Sequence, residues 1–174
     1  MKASVFIGTS LDGFIARPDG AFDFLPADGG EPHGYTEFIA TVDTIVIGRK
    51  TFETVITMTP WPYEDKRVVV LSSKPLDFSS VVGGRVEQMS GSPAEIVSKL
   101  TATGAQHLYV DGGITIQRFL RAGFIQRLII TRVPVLIGDG IPLFGSLPHD
   151  IHLRHISTKH YPSGLVSSEY EVTR

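Results

Sequence analysis

Cysteine is absent from the 174 residues, which excludes disulfide staples, thiolate metal ligands and a thiolate nucleophile. Long apolar runs are absent too. No stretch approaches the ~20 residues that a membrane-spanning helix needs, and the opening Met1-Lys2-Ala3-Ser4-Val5-Phe6-Ile7-Gly8 is interrupted too soon to read as a signal peptide. A charge excess is lacking: the formal net charge is -2, which gives no field favouring nucleic acid or an anionic membrane. Metal-binding patterns are missing as well. The six histidines (33, 107, 149, 152, 155 and 160) form no helical H-x-x-x-H pair, and His152 and His155 straddle Leu153-Arg154 in an extended region, so no metal site is expected. Neither G-x-x-x-x-G-K-[ST] nor G-x-G-x-x-G occurs, which removes the P-loop and the usual dinucleotide fingerprint. These absences leave a chain expected to be cytoplasmic, with a small molecule as its ligand.

Hydrophobic residues make up 42% and charged residues 20%, the balance of a globule, and the length suits one domain over residues 1–174 with a sizeable core. Ala3–Ile7 reads as a first buried strand ending at Gly8-Thr9-Ser10, followed by an Asp12-Gly13 turn and a short extended piece. Arg17 to Gly34 is a long segment rich in Gly, Pro and Asp, of the kind that is functional in small domains. Tyr35–Val42 is expected as a helix with Tyr35, Phe38 and Ile39 on one face. Strands are expected at Ile45–Ile47 and Arg67–Leu71, with an edge strand at Val86–Met89. Ser92-Pro93-Ala94-Glu95 has serine at the N-cap, proline at the first helical position and glutamate at the third, a capping box. The helix it opens is expected to run to about Thr103 before Gly104. A further helix over Thr115–Ala122 precedes a strand at Leu128–Val135, and two antiparallel strands, His152–His160 and Leu165–Val172, close the chain. Strands alternating with helices predict an α/β fold: a mostly parallel mixed sheet between two helical layers, with a C-terminal antiparallel hairpin.

The chain is organised around Leu108-Tyr109-Val110-Asp111-Gly112-Gly113-Ile114-Thr115-Ile116, a buried strand, a glycine pair and the start of an amphipathic helix. The glycines either simply turn the chain or bring backbone N–H groups and an open surface to a phosphate or a flat ring. In parallel sheets the ligand crevice lies beyond the strand C-termini. Here those ends carry Gly8-Thr9-Ser10, Gly48-Arg49-Lys50-Thr51, Leu71-Ser72-Ser73-Lys74 and Asp111-Gly112-Gly113. Small residues, hydroxyls and cations recur at all four, which favours a phosphate-bearing ligand.

In this order the motifs resemble the dihydrofolate reductase-like superfamily. The resemblance rests on Ser10-Leu11-Asp12-Gly13-Phe14-Ile15-Ala16 after the first strand, Gly48-Arg49-Lys50-Thr51-Phe52-Glu53 at a helix start, and Leu71-Ser72-Ser73 after the third strand. Gly112-Gly113 before a helix and Ile137-Gly138-Asp139-Gly140 late in the chain complete it. Within the superfamily the chain looks most like stand-alone bacterial relatives of the reductase domain of riboflavin biosynthesis. The resemblance implies NADPH as cofactor, held by Gly8, Ile15, Gly48, Arg49, Lys50, Thr51, Leu71, Ser72, Ser73, Lys74, Gly112, Gly113, Thr115 and Ile116. Arg49 and Ser72 to Lys74 would select the 2′-phosphate, and Gly112-Gly113 would pass the pyrophosphate.

Dihydrofolate reductases carry a proton-relaying acid on their first helix, where this chain offers Glu37; Asp12 is the second catalytic candidate. Asp23, Tyr35 and Phe38 are the expected substrate contacts. Folate enzymes hold the glutamate tail with an arginine ahead of the third strand, where Lys66 stands, a point charge without the bidentate fork. The resemblance therefore implies an NADPH-dependent reductase transferring a hydride to a small heterocycle, either pteridine-like or a ribosylated pyrimidine. The alternatives are a true dihydrofolate reductase and a non-catalytic nucleotide-binding protein of the same fold. A homodimer through Leu128–Val135 and the closing hairpin is also expected.

Overall fold

The computed structural model describes residues 1–26 and 33–174; the middle of the segment between Arg17 and Gly34 lies outside the described residues. The elements in chain order are β1 (Lys2–Ser10), β2 (Phe14–Ala16), α1 (Tyr35–Ala40), β3 (Thr44–Gly48), α2 (Arg49–Val55), β4 (Arg67–Leu71), β5 (Arg85–Met89) and α3 (Pro93–Ala102). They continue with β6 (His107–Asp111), α4 (Gly113–Arg121), β7 (Arg127–Val133), β8 (Ile141–Pro142), β9 (Leu153–His160) and β10 (Val166–Val172). Eight strands form one sheet in the order β5-β4-β3-β6-β1-β7-β10-β9, and β2 pairs with β8 in a separate ribbon. The ladders from β5 through β7 are parallel, and the last two, through β10, are antiparallel. The expected mostly parallel sheet with an antiparallel C-terminal hairpin is what the chain adopts.

Period-two alternation sends successive strand residues to opposite faces, and the central strands are apolar in both directions. Val46, Val69, Leu108, Val110, Leu128 and Ile130 pack with Ile96 and Leu100 of α3 and with Ile116, Phe119 and Leu120 of α4. Ile45, Ile47, Val68, Val70, Tyr109 and Ile129 pack on the other face with Phe38 of α1 and with Phe52 and Val55 of α2. Two layers of helix thus cover a sheet that needs cover on both sides. The capping box is present: Ser92 Oγ accepts from Glu95 N at 3.3 Å, and Glu95 Oε2 accepts from Ser92 N at 2.7 Å.

Three expectations are corrected. β1 does not end at Gly8 but runs on to Ser10, because β7 continues beside it and pairs with every residue from Ser4 to Ser10. The first helix stops at Ala40, and Val42 leaves it to enter the core. The glycine pair does not precede its helix by a gap: Gly113 is already the first residue of α4, with Gly112 at its N-cap.

At the end of the sheet opposite the strand C-termini, a buried histidine ties three segments together. Its Nδ1–H donates to the Thr41 carbonyl at 2.8 Å, since a carbonyl can only accept, and its Nε2 accepts from the Ser4 hydroxyl at 2.7 Å. Asp43 Oδ2 accepts the backbone N–H groups of Gln106 and His107. Burial holds the His107 imidazole below its usual value, helped by Lys2 and Arg127 and opposed by the Thr41 carbonyl and Asp43. A base whose folded value is depressed is neutral in the fold and takes up a proton on unfolding, so acid favours unfolding. Stability is therefore expected to fall as pH drops below the ordinary histidine value of 6.5 and to level off beneath the depressed one. Urea midpoints of wild type and His107→Gln across that range check this: the variant should lose the slope assigned to this ring.

Candidate functional site

The strand C-termini converge on two adjoining regions. At the first, β3 and β6 are parallel neighbours, and each runs straight into a helix through a glycine. Gly112 has φ +96°, and a Cβ there would stand 2.7 Å from Thr51 Oγ1; one on Gly48 would stand 2.9 Å from Thr115 Oγ1. The two helix starts are thus interlocked through hydroxyls that leave no room for side chains. At Gly113 a Cβ would meet Ile15 Cδ1 at 3.0 Å and Ile141 Cγ2 at 3.3 Å, so β2 and β8 lie over the glycine pair. The result is a close-packed backbone cradle at Gly112-Gly113, its Cβ sides filled by Thr51, Ile15 and Ile141.

Beyond the ends of β4 and β5 the cradle adjoins a cavity of about 350 Å³ lined by Arg49, Ser72, Ser73, Lys74, Gly91 and Arg118, with no carboxylate in its wall among the described residues. Arg49 lines the cavity and stands 3.9 Å from Glu53, its ion-pair partner one turn along α2 and beyond hydrogen-bond reach. Ser72 Oγ donates to the Lys74 carbonyl at 2.8 Å and accepts from the Lys74 N–H at 3.1 Å, which shapes the turn after β4. A cavity with three cations and no acid is electrostatically matched to a phosphate.

The second region lies on the α1 face between β6 and β1. Their ladder runs only from Lys2/His107 to Ser4/Tyr109, and Asp111 follows where the strands are no longer paired. Its Oδ1 accepts the Gly112 N–H at 2.8 Å. Burial raises the carboxyl above the usual range, against the lowering effect of Gly112 and Tyr109. Tyr63 and Tyr109 are raised too, by burial first and then by the Asp111 carboxylate. Tyr35 presents its edge to Phe6 at 5.6 Å and to Tyr109 at 6.4 Å. Nearby on β7, Thr131 faces Gly8 across the ladder, and its Oγ1 is buried with no hydrogen-bond partner among the described residues.

Measured against the sequence reading, Arg49, Leu71, Ser72, Ser73 and Lys74 come together in the cavity, and Ile15, Gly48, Thr51, Gly112, Gly113 and Thr115 come together in the cradle. Gly8 lies mid-strand under Leu25, whose Cδ2 would be 3.0 Å from a Cβ there. Lys50 is exposed outside the cavity, and Ile116 is fully buried in the core, so neither is brought to a ligand surface.

The catalytic and substrate expectations fare differently. The Asp12 carboxylate accepts the N–H groups of Ile137 at 3.3 Å and Gly138 at 2.8 Å, fastening the two loops that carry β2 and β8. Asp23 is spent in an ion pair with Arg17 at 2.5 Å. Phe38 is core, 3% exposed and stacked on Phe6 at 5.0 Å; only Tyr35 of that helix face reaches the site. Glu37 is exposed on the first turn of α1 and bonds to no described residue. Lys66 Nζ donates to the Val42 carbonyl at 2.6 Å, so it is committed to the end of α1. Asp111, Arg118 and Thr131 were not singled out from sequence. The signals available were an acid closing an otherwise apolar strand, a cation on α4 and a hydroxyl in a β-branched run.

An open α/β sheet of this order, with its crevice beyond β3, β4 and β6 and a closing antiparallel hairpin, is the dihydrofolate reductase-like fold. Residues 2–167 match the model of the RibD C-terminal domain, and the chain belongs to that family. It is 35% identical over 163 residues to the uncharacterised Bacillus subtilis (strain 168) protein YwjB, covering 92% of each chain. A crystal structure from Shewanella sp. PV-4, of a protein assigned provisionally to riboflavin biosynthesis, superposes with a TM-score of 0.91 at 35% identity over 100% of both chains. The Thermotoga maritima diaminohydroxyphosphoribosylaminopyrimidine deaminase/5-amino-6-(5-phosphoribosylamino)uracil reductase shares the fold, with a TM-score of 0.75 at 12% identity, over 99% of this chain and 56% of its own.

Proposed function

We propose that this protein is an NADPH-dependent reductase of a small heterocycle carrying a C=N or C=O group. The observation that carries the reading is a cavity with three cations and, among the described residues, no carboxylate in its wall, opening beside the glycine pair that starts α4. The cavity fits a phosphomonoester, and the start of α4 would offer a pyrophosphate the backbone N–H groups that follow Gly112, whose own N–H is taken by Asp111. Arg49, Ser72, Ser73 and Lys74 would hold the 2′-phosphate, and Gly112 and Gly113 would receive the pyrophosphate. When bound, NADPH supplies the hydride.

The chain's own share begins with Asp111. Burial raises the Asp111 carboxyl, so it holds its proton more tightly than a free aspartate, and its protonated form can deliver a proton to the heteroatom that gains electrons when the adjacent carbon is reduced. Tyr109 donates its hydroxyl to the Phe6 carbonyl at 3.1 Å, which fixes the ring beside that carboxyl. Tyr35 is positioned to cover a flat ring, and the unpartnered Thr131 hydroxyl offers one hydrogen bond to a polar substituent. Substrate selection then follows from matching these groups, since the fold alone does not specify a substrate.

Titrating the purified protein with NADPH and separately with NADH, followed by nicotinamide fluorescence, tests the reading. NADPH is expected to bind at least about tenfold more tightly, the value of one charge-assisted phosphate contact. Binding of neither nucleotide would remove the reductase assignment. The double variant Arg49→Ala/Ser72→Ala should erase most of the difference between the two.

A further inference from the structure

The geometry points to Arg118 as a determinant of phosphate selection, the third cation of the cavity and the one that closes it from the α4 side. This inference rests on the cofactor reading above. Arg118 sits on α4, whose apolar residues pack with α3 on one face of the sheet, whereas Arg49 opens α2, whose apolar residues pack on the opposite face. Both side chains nevertheless line the same cavity, so the two guanidinium groups reach it from opposite sides of the sheet edge.

The way Arg118 is held separates it from a solvated surface cation. Its Nη2 donates to the carbonyl of Gly91 at 3.0 Å, which anchors the guanidinium to the turn between β5 and α3. That turn needs its glycine: φ is +131°, and a Cβ would stand 2.8 Å from Glu95 Oε2, the oxygen that caps α3. One N–H of five is used by this contact, and among the described residues no carboxylate pairs with Arg118. A guanidinium fixed at one nitrogen keeps a planar fork of donors in one orientation, which suits a phosphomonoester better than a freely moving ammonium. Lys74, on the turn after β4, adds a point charge without that geometry.

The expected consequence is specific. Removing the Arg118 charge should weaken a ligand that carries the ribose 2′-phosphate and leave one that lacks it unchanged. The test compares wild type, Arg118→Gln and Arg118→Lys by titration with NADPH, NADH, 2′,5′-ADP, 5′-AMP and ribose 5-phosphate. Expected for Arg118→Gln is a loss of roughly tenfold in affinity for NADPH and 2′,5′-ADP, the size of one charge-assisted contact, with NADH and 5′-AMP unaltered. Arg118→Lys should fall between, having kept the charge and lost the fork.

Equal weakening of NADPH and NADH would show that Arg118 acts by holding the Gly91 turn and would overturn the inference. Unchanged NADPH affinity in Arg118→Gln, with wild type still preferring NADPH, would overturn it and leave the cofactor reading intact. Tight ribose 5-phosphate binding that is lost in Arg118→Gln, with no preference for NADPH over NADH in wild type, would assign the cavity to a substrate phosphate. That outcome would overturn the inference together with the cofactor reading.

Discussion

Asp111→Asn is expected to lower turnover by roughly 10²–10⁴-fold, the usual contribution of a positioned proton donor, while NADPH affinity stays at the wild-type level. The amide preserves the shape of the side chain and can still accept the Gly112 N–H through its oxygen, now made at 2.8 Å, so the cradle is undisturbed. What it cannot do is release a proton. The wild-type rate should fall as pH rises through the raised carboxyl value, because only the protonated form delivers. The residual rate of the variant should be flat over that range.

The same substitution has a stability signature that needs no substrate. A carboxyl whose folded value is raised takes up a proton on folding. Its contribution is complete below the unfolded value near 3.8 and is lost as pH rises through the raised folded value. Wherever the carboxyl is ionised the fold bears that cost, and there a permanently neutral asparagine should raise the urea midpoint relative to wild type. Greater stability with lost turnover is the pattern of a strained functional group. Wild-type turnover in the variant would dismiss Asp111 as proton donor, and Glu37, the exposed acid on α1, would be the next residue to substitute.

Much of the architecture was legible because its causes are local. Arg67–Leu71 was read with its observed bounds, since a β-branched run bounded by polar turns has few other options. The capping box at Ser92 announced α3, because both of its hydrogen bonds close within four residues. Gly8 misled the reading of β1: a glycine in a strand looks like a stop, yet here Leu25 covers it and β7 pairs through it. Arg49, Leu71, Ser72, Ser73 and Lys74, which line the cavity, were legible for a related reason. They sit at strand ends, and the strand order brings strand ends together.

The reacting side of the site was not legible, because it is assembled from distant parts of the chain. Phe38 and Tyr35 share a helix face in sequence, but α1 lies so that Phe38 enters the core and Tyr35 stays 37% exposed. Asp111 reads as an ordinary acid before a turn. Its perturbation arises only once the fold takes the carboxyl out of water, against the lowering effect of the Gly112 N–H and Tyr109. Asp12 and Asp23 were singled out as acids near the crevice, and the fold uses both internally, one on backbone N–H groups and one on Arg17. An acid's sequence position near a crevice does not show whether local donors have already taken it.

The glycine pair allows the sharpest separation of folding from binding. Gly112→Ala is expected to destabilise the protein by about 1–3 kcal/mol through the left-handed backbone alone. A steric cost comes on top, because its Cβ would lie 2.7 Å from Thr51 Oγ1. Thr51 sits in the first turn of α2, so relief requires its side chain to turn to its other helical rotamer. Adding Thr51→Ala to Gly112→Ala should recover the steric part and leave the backbone part, a difference readable in urea midpoints. Gly113→Ala should behave in the opposite way. Its φ is not in the left-handed region, and its nearest neighbour is Ile15 Cδ1 at 3.0 Å, the tip of a flexible side chain. Alanine at the first turn of α4 also favours the helix. Gly113→Ala should therefore fold with near-wild-type stability and weaken NADPH and NADH together, because its methyl group displaces Ile15 and Ile141 where β2 and β8 cover the glycine pair that both nucleotides would share. A Gly113→Ala protein that binds NADPH normally would place the pyrophosphate elsewhere, whatever the outcome at Gly112.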